Sequence, residues 1–144
     1  MNKNQTKLDM LLFISWAASL IATLGSLFFS EIMKYIPCSL CWYQRIFMYP
    51  FVVILAMAMV KKDYKVYSYS IALSGIGLVI ALYHTLLQKV PFLQENSLDC
   101  GIVPCTTDYI DWLGFITIPF MALVAFTIIF VCMVYMRKLI KEEK

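Results

Sequence analysis

The stretch VYSYSIALSGIGLVIALYHTLLQ, residues Val66–Gln88, decides the fold of this chain, because none of its 23 residues carries a full charge. A helix rises about 1.5 Å per residue, so about 20 apolar residues cross the hydrocarbon core of a bilayer. Two other charge-free runs are long enough to do the same, Met10–Ser30 with 21 residues and Trp112–Met136 with 25. These three runs predict three membrane-spanning helices.

A fourth charge-free run, Ile46–Val60, has only 15 residues. It reaches 20 residues when the span begins at Cys41, which places Arg45 just inside the membrane boundary. We therefore expect spans at residues 10–30, 41–60, 66–88 and 112–136. The predicted fold is an all-α integral membrane protein, a bundle of four transmembrane helices.

The composition also indicates a membrane protein. Apolar residues make up 62% of the 144 positions, against about 45–50% in an ordinary soluble domain. The charged side chains, 12 basic and 9 acidic, are too few and too clustered to cover a globule in water. The residues outside the four spans form only two tails and three short connections. Residues 1–144 are therefore predicted to form a single membrane domain.

The basic residues predict the orientation, since Lys and Arg accumulate in cytoplasmic loops. If both ends of the chain are cytoplasmic (N-in/C-in), nine of the 12 basic residues face inward. They are Lys3, Lys7, Lys61, Lys62, Lys65, Arg137, Lys138, Lys141 and Lys144. The net charge of +3 then reflects topology, and no nucleic-acid partner is expected. The first run exceeds the apolar stretch of a signal peptide, about 7–15 residues, so it is expected to remain as a span.

Four of the five cysteines fall at the two loops that face outward in this topology, residues 31–40 and 89–111. Cys38 and Cys41 form Cys-Ser-Leu-Cys, and Cys100 and Cys105 form Cys-Gly-Ile-Val-Pro-Cys. Cys132, deep in the last span, is expected to be a packing residue. Two close pairs on the side of the membrane where disulfides persist indicate redox chemistry.

Three interpretations compete for these two pairs. Structural disulfides would close loops of only four and six residues, which removes little entropy from the unfolded chain. A zinc site fits the spacing, but exported thiols tend to oxidise, so no metal is expected. The third interpretation is a dithiol–disulfide exchange centre, and the neighbouring residues favour it.

Those neighbours are Arg45 and His84. A helix beginning near Cys41 would favour the thiolate through its positive N-terminal end, and Arg45 follows one turn later on the same face. An arginine at the membrane boundary is a functional candidate, although it could simply extend to the head groups. His84, the only histidine, lies at a similar depth and is either a packing residue or a site residue. A cation, an imidazole and a thiolate at one level would suit a quinone.

The chain resembles the bacterial disulfide bond formation protein B (DsbB) family, in particular its compact branch called BdbC, over nearly its whole length. Three stretches carry the resemblance: PCSLCWYQR at Pro37–Arg45, YHTLLQ at Tyr83–Gln88, and WLG at Trp112–Gly114 followed by Pro119. The Cys-x-x-Cys followed by arginine is the most specific of these motifs, given four spans and a second outer cysteine pair.

The resemblance implies a function and a set of site residues. A thioredoxin-like oxidase outside the cytoplasm (DsbA/BdbD type) would be reoxidised by the pair of Cys100 and Cys105, which would pass the exchange to Cys38. Cys41 would be freed as a thiolate beside a bound quinone, menaquinone or ubiquinone. Arg45 would stabilise the charge, and His84 would line the ring site. Such a protein resides in the bacterial cytoplasmic membrane.

Two alternatives remain open from the residues themselves. The first is a quinone reductase resembling the vitamin K epoxide reductases, which also combine loop cysteines with Cys-x-x-Cys in a helical bundle. The second is a small four-span scaffold or carrier with structural disulfides, in which removal of a cysteine pair would lower stability without affecting electron transfer.

Overall fold

The structure, a computed structural model, describes residues 3–34, 36–90 and 118–142. Every regular element in these ranges is helical. Helix α1 spans Lys3–Leu27 and continues as one π-helical turn, Phe28–Ile32. Helix α2 spans Ser39–Lys61 and α3 spans Tyr67–Lys89, joined by a short 3₁₀ turn at residues 64–66. Helix α4 spans Ile118–Glu142.

The four helices form a ring in chain order. Helix α1 packs mainly on α2 and α4, and α3 packs mainly on the same two helices. The large side chains that are fully buried between them are apolar, apart from one histidine. The apolar ones are Leu12, Phe51, Leu55, Leu87, Phe126, Ile129, Met133 and Met136. This bundle confirms the predicted all-α fold of four helices.

The outside of the bundle is apolar as well. Large apolar side chains are exposed on every helix, including Ile21, Val60, Val79 and Val131. In a soluble protein such a surface would aggregate, whereas lipid tails solvate it. Each of the four helices is long and apolar enough to cross a bilayer, from 23 to 30 residues when the π-helical and 3₁₀ turns are included.

Small polar residues line the centre of the bundle. Ser15 and Ser19 on α1 and Ser70 and Ser74 on α3 are fully buried. Three of their hydroxyls donate to a backbone carbonyl one turn back in the same helix, as Ser15 Oγ does to the oxygen of Leu11 at 2.8 Å. Small side chains that satisfy themselves in this way let neighbouring helices approach closely.

Two observed helix starts bear on the site. Helix α2 begins at Ser39, two residues before the expected span, so Cys38 rather than Cys41 lies at its N-terminus. The expected start of the fourth span, Trp112, lies outside the described residues. The N-in/C-in orientation stays a prediction. Eight of the nine residues in the inward set are described, and all eight lie at the end of the bundle opposite Cys38.

The contact of Gly77 with Phe126 predicts a large effect of a small substitution. A methyl group added at Gly77 would meet atoms Cζ and Cδ1 of the buried Phe126 ring at 2.6 and 2.7 Å. Overpacking of this kind costs roughly 1–3 kcal/mol. We therefore expect Gly77→Ala to lower the free energy of unfolding by about that amount, measured by denaturant titration in detergent.

Gly75→Ala is the matched control. Its added methyl would lie 3.6 Å from the Phe130 ring, an ordinary contact, and alanine is the better helix former. The control is expected to be as stable as the parent or more stable. Equal stability of the two alanine variants would contradict the close packing of α3 on α4 at Gly77.

Candidate redox site

The two cysteines of Cys-Ser-Leu-Cys lie at the start of α2. Cys38 is the N-cap, with extended backbone angles (φ −74°, ψ 171°), and its carbonyl accepts the first helical bond from the Trp42 amide at 3.1 Å. Cys41 follows in the first turn. A cap residue and the residue three positions later share one side of the helix, and the two Sγ atoms are 3.4 Å apart.

His84 brings the last part of α3 to the same place. Its side chain is almost completely buried, and its Nε2 atom lies 3.7 Å from the Cys38 Sγ atom. Cys38 itself is only 7% exposed. An imidazole at this distance can exchange a proton with the thiol or donate a hydrogen bond to the thiolate.

Gln44 holds the other side of the imidazole ring. Its amide Nε2 lies 3.2 Å from His84 Nδ1, and its side chain is buried. The contact fixes the plane of the ring and leaves Nε2 directed to the sulfur atoms. The sequence analysis did not single out Gln44. An uncharged amide in an apolar run, one turn after Cys41, was the available signal, because polar groups at membrane depth need partners.

The surroundings of Cys38 favour its thiolate. The hydrogen bond that joins the two sulfur atoms lowers the pKa of Cys38 well below its usual value, and the nearby His84 lowers it further. Burial acts in the opposite direction but is outweighed. The N-terminal end of α2 adds a partial positive charge at the same position. When both thiols are reduced, the negative charge is therefore centred on Cys38.

Arg45 lies one turn after Cys41 and is bound to α1. Its Nε donates to the Ser26 hydroxyl at 2.9 Å and its Nη2 to the Ser26 carbonyl at 3.3 Å. The guanidinium carbon lies 5.7 Å from the centre of the Trp42 ring, a distance typical of a cation–π contact. Ser26 was not predicted from the sequence, because the contact depends on how α1 and α2 face each other.

Comparisons with known proteins agree with this geometry. The family model "Disulfide bond formation protein DsbB" matches residues 8–136. The chain belongs to the DsbB family. A probable disulfide formation protein C 1 of Bacillus anthracis is 58% identical over 128 residues, covering 89% of this chain and 92% of that protein. The disulfide bond formation protein C of Bacillus subtilis is 50% identical over 133 residues, covering 92% and 94%. No solved structure is significantly similar.

Membership of the DsbB family confirms the resemblance seen in the sequence and supports a role in membrane disulfide bond formation, as a disulfide oxidoreductase. A prophage-derived disulfide bond formation protein B of Bacillus subtilis, 46% identical, covers 78% of this chain and 75% of its own length.

The structure brings together three of the six predicted site residues, Cys38, Cys41 and His84. Arg45 lies on the same end of α2, with its described hydrogen bonds made to Ser26. Cys100 and Cys105 lie outside the described residues. The part played by each of these six residues in this DsbB-family protein stays a prediction. Cys132 is buried in α4, where a packing residue is expected.

Proposed function

We propose that this DsbB-family protein reoxidises a thioredoxin-like oxidase of the DsbA/BdbD type outside the cytoplasm and passes the electrons to a membrane quinone. The cluster of Cys38, Cys41 and His84 at one end of a lipid-exposed bundle carries the proposal. Thiol–disulfide exchange only moves oxidising equivalents between sulfur atoms, so new disulfides require a different acceptor. For a chain that lies almost entirely in lipid, a quinone is the accessible one.

The overall reaction balances in electrons and protons. The two thiols of the partner lose two electrons and two protons and become a disulfide. A bound quinone, menaquinone or ubiquinone, supplies the two-electron acceptor and leaves as the hydroquinone. Both cysteine pairs of this protein end each cycle as they began it, oxidised.

The exchange reaches α2 through the second cysteine pair. In the proposed relay, a thiolate of the partner attacks the Cys100–Cys105 disulfide, at Cys100 in the order that the family resemblance suggests. Cys105 is released and attacks the Cys38 sulfur. That attack breaks the bond between Cys38 and Cys41 and frees Cys41 as a thiolate, one turn before Arg45.

The residues around the pair fit a quinone. Arginine has five N–H donors in a planar fork, of which the two hydrogen bonds to Ser26 use two. The others are suited to a ring oxygen that gains negative charge. His84 Nε2, held by the contact of Gln44 with Nδ1, is placed to hold or return the proton of Cys38.

The orientation completes the proposal. Lys3, Lys7, Lys61, Lys62 and Lys65 lie at the end opposite Cys38, and basic residues accumulate on the cytoplasmic side. The reactive pair then faces outward, where the partner is found, and the protein resides in the bacterial cytoplasmic membrane.

The test is an assay of the purified protein in detergent. Reduced thioredoxin-like oxidase and a water-soluble short-chain quinone are mixed with the protein, and quinone absorbance and partner thiols are followed together. We expect one quinone reduced for each disulfide formed in the partner. Oxidation of the partner without quinone reduction would overturn the assigned acceptor, and an unchanged partner would overturn the proposed function.

A further inference from the structure

The reduced pair and His84 present three metal-binding atoms at one point. The two Sγ atoms and a ring nitrogen of His84 all lie within 4.8 Å of one another. Zn²⁺ binds cysteine sulfur at about 2.3 Å and histidine nitrogen at about 2.0–2.1 Å, almost always in a tetrahedron. In that geometry neighbouring ligand atoms are about 3.5–3.8 Å apart. The observed separations of 3.4 Å between the sulfurs and 3.7 Å between Cys38 Sγ and His84 Nε2 are close to these values.

We propose that the dithiol form of this protein binds one Zn²⁺ ion through Cys38, Cys41 and His84, and that the ion holds the protein in its reduced state. Because the ligands are thiol and imidazole groups alone, the inference holds whatever the electron acceptor is. The described residues leave the fourth position of the tetrahedron without a protein ligand.

Gln44 is the outer partner that such a site requires. A metal-binding histidine usually makes a second hydrogen bond through its other ring nitrogen, which fixes the tautomer and the orientation of the ring. Here Gln44 lies 3.2 Å from Nδ1, so Nε2 is the nitrogen that faces the sulfur atoms. With the amide oxygen turned to Nδ1–H, Nε2 has a free electron pair for the metal.

Charge and protonation favour binding only after reduction. Two thiolates cancel the double positive charge of Zn²⁺, so the occupied site is neutral in a place where Cys38 is nearly buried. Binding releases the remaining thiol protons to solvent and changes no oxidation state. A disulfide between Cys38 and Cys41 has no thiolate to offer, so metal and disulfide exclude each other at this site.

The experiment uses Co²⁺, which reports thiolate ligands and tetrahedral geometry by its absorption. The chain carries Cys100→Ser, Cys105→Ser and Cys132→Ser, so Cys38 and Cys41 are its only thiols. It is reduced in detergent, freed of reductant and titrated. We expect sulfur-to-cobalt charge-transfer and visible bands that saturate near one ion per chain and are displaced by Zn²⁺. The air-oxidised protein is expected to give neither band.

Three added substitutions decide between outcomes. Cys41→Ser and His84→Ala are each expected to remove the tetrahedral bands, and Gln44→Leu to weaken the affinity by about 10- to 100-fold. Elution as a monodisperse peak and an unchanged helical circular dichroism spectrum confirm that each variant is folded. Absence of the bands in the reduced triple variant would overturn the proposal. Unchanged bands in folded His84→Ala would do the same, because the metal would then bind to the two thiols alone.

Discussion

Replacement of Cys41 by serine is expected to reduce quinone reduction driven by the partner to the uncatalysed background. Serine is close to cysteine in size but forms no disulfide and gives no thiolate at neutral pH. Removing a covalent nucleophile from an enzyme costs several orders of magnitude in rate, so we expect a loss of at least about 1,000-fold. The measurement is the initial rate of quinone reduction at saturating partner.

Cys132→Ser is the matched control for this experiment. It makes the same change of sulfur to oxygen at a buried position of α4, far along the bundle from Cys38. The control is expected to keep most of the activity of the parent protein. Turnover by Cys41→Ser comparable to the control would remove Cys41 from the relay.

Replacement of Arg45 by methionine is expected to affect the quinone half of the reaction alone. Methionine keeps an unbranched, flexible chain but loses the charge and the donors. A preorganised group that stabilises developing negative charge is worth about 100- to 1,000-fold in rate, so quinone reduction should fall by about that factor. Exchange with the partner, measured by the loss of its thiols in a single turnover without quinone, should change little.

Two further variants separate the charge of Arg45 from its placement. Arg45→Lys keeps the charge but loses the planar fork that contacts Ser26, so it should retain part of the activity. Ser26→Ala removes one acceptor and leaves the backbone carbonyl, and a loss of only a few fold is expected because one hydrogen bond is affected. An unchanged apparent quinone affinity in Arg45→Met would contradict the role proposed for Arg45.

The sequence was sufficient to predict the four helices because the bilayer imposes a simple requirement. A segment in lipid must satisfy its own backbone and carry few charges, and charge-free runs of this length have few other uses. The same argument could not place the helix ends. Charged residues at Lys3, Lys7 and Asp9 end the apolar run but do not end α1. Asp9 even accepts a hydrogen bond from Tyr64 at 2.8 Å.

The site was predictable only in part, for a related reason. Cysteine spacing identified the reactive pair, and depth along the spans brought His84 near it. Contacts between helices depend on how each helix is rotated about its axis, which composition does not determine. Gln44 beside His84 and Ser26 beside Arg45 are contacts of that kind. The position of Cys38 at the N-cap depended on two residues of helix boundary, a difference that hydropathy does not resolve.

The capping position of Cys38 has a consequence for the oxidising power of the pair. Every interaction that stabilises a thiolate there, from Cys41, from His84 and from the end of α2, is lost when the sulfur enters a disulfide. The dithiol is thereby stabilised relative to the disulfide, which raises the reduction potential of the couple. The same few atoms that bring the thiols together thus make this membrane protein a stronger oxidant toward the proteins that deliver electrons to it.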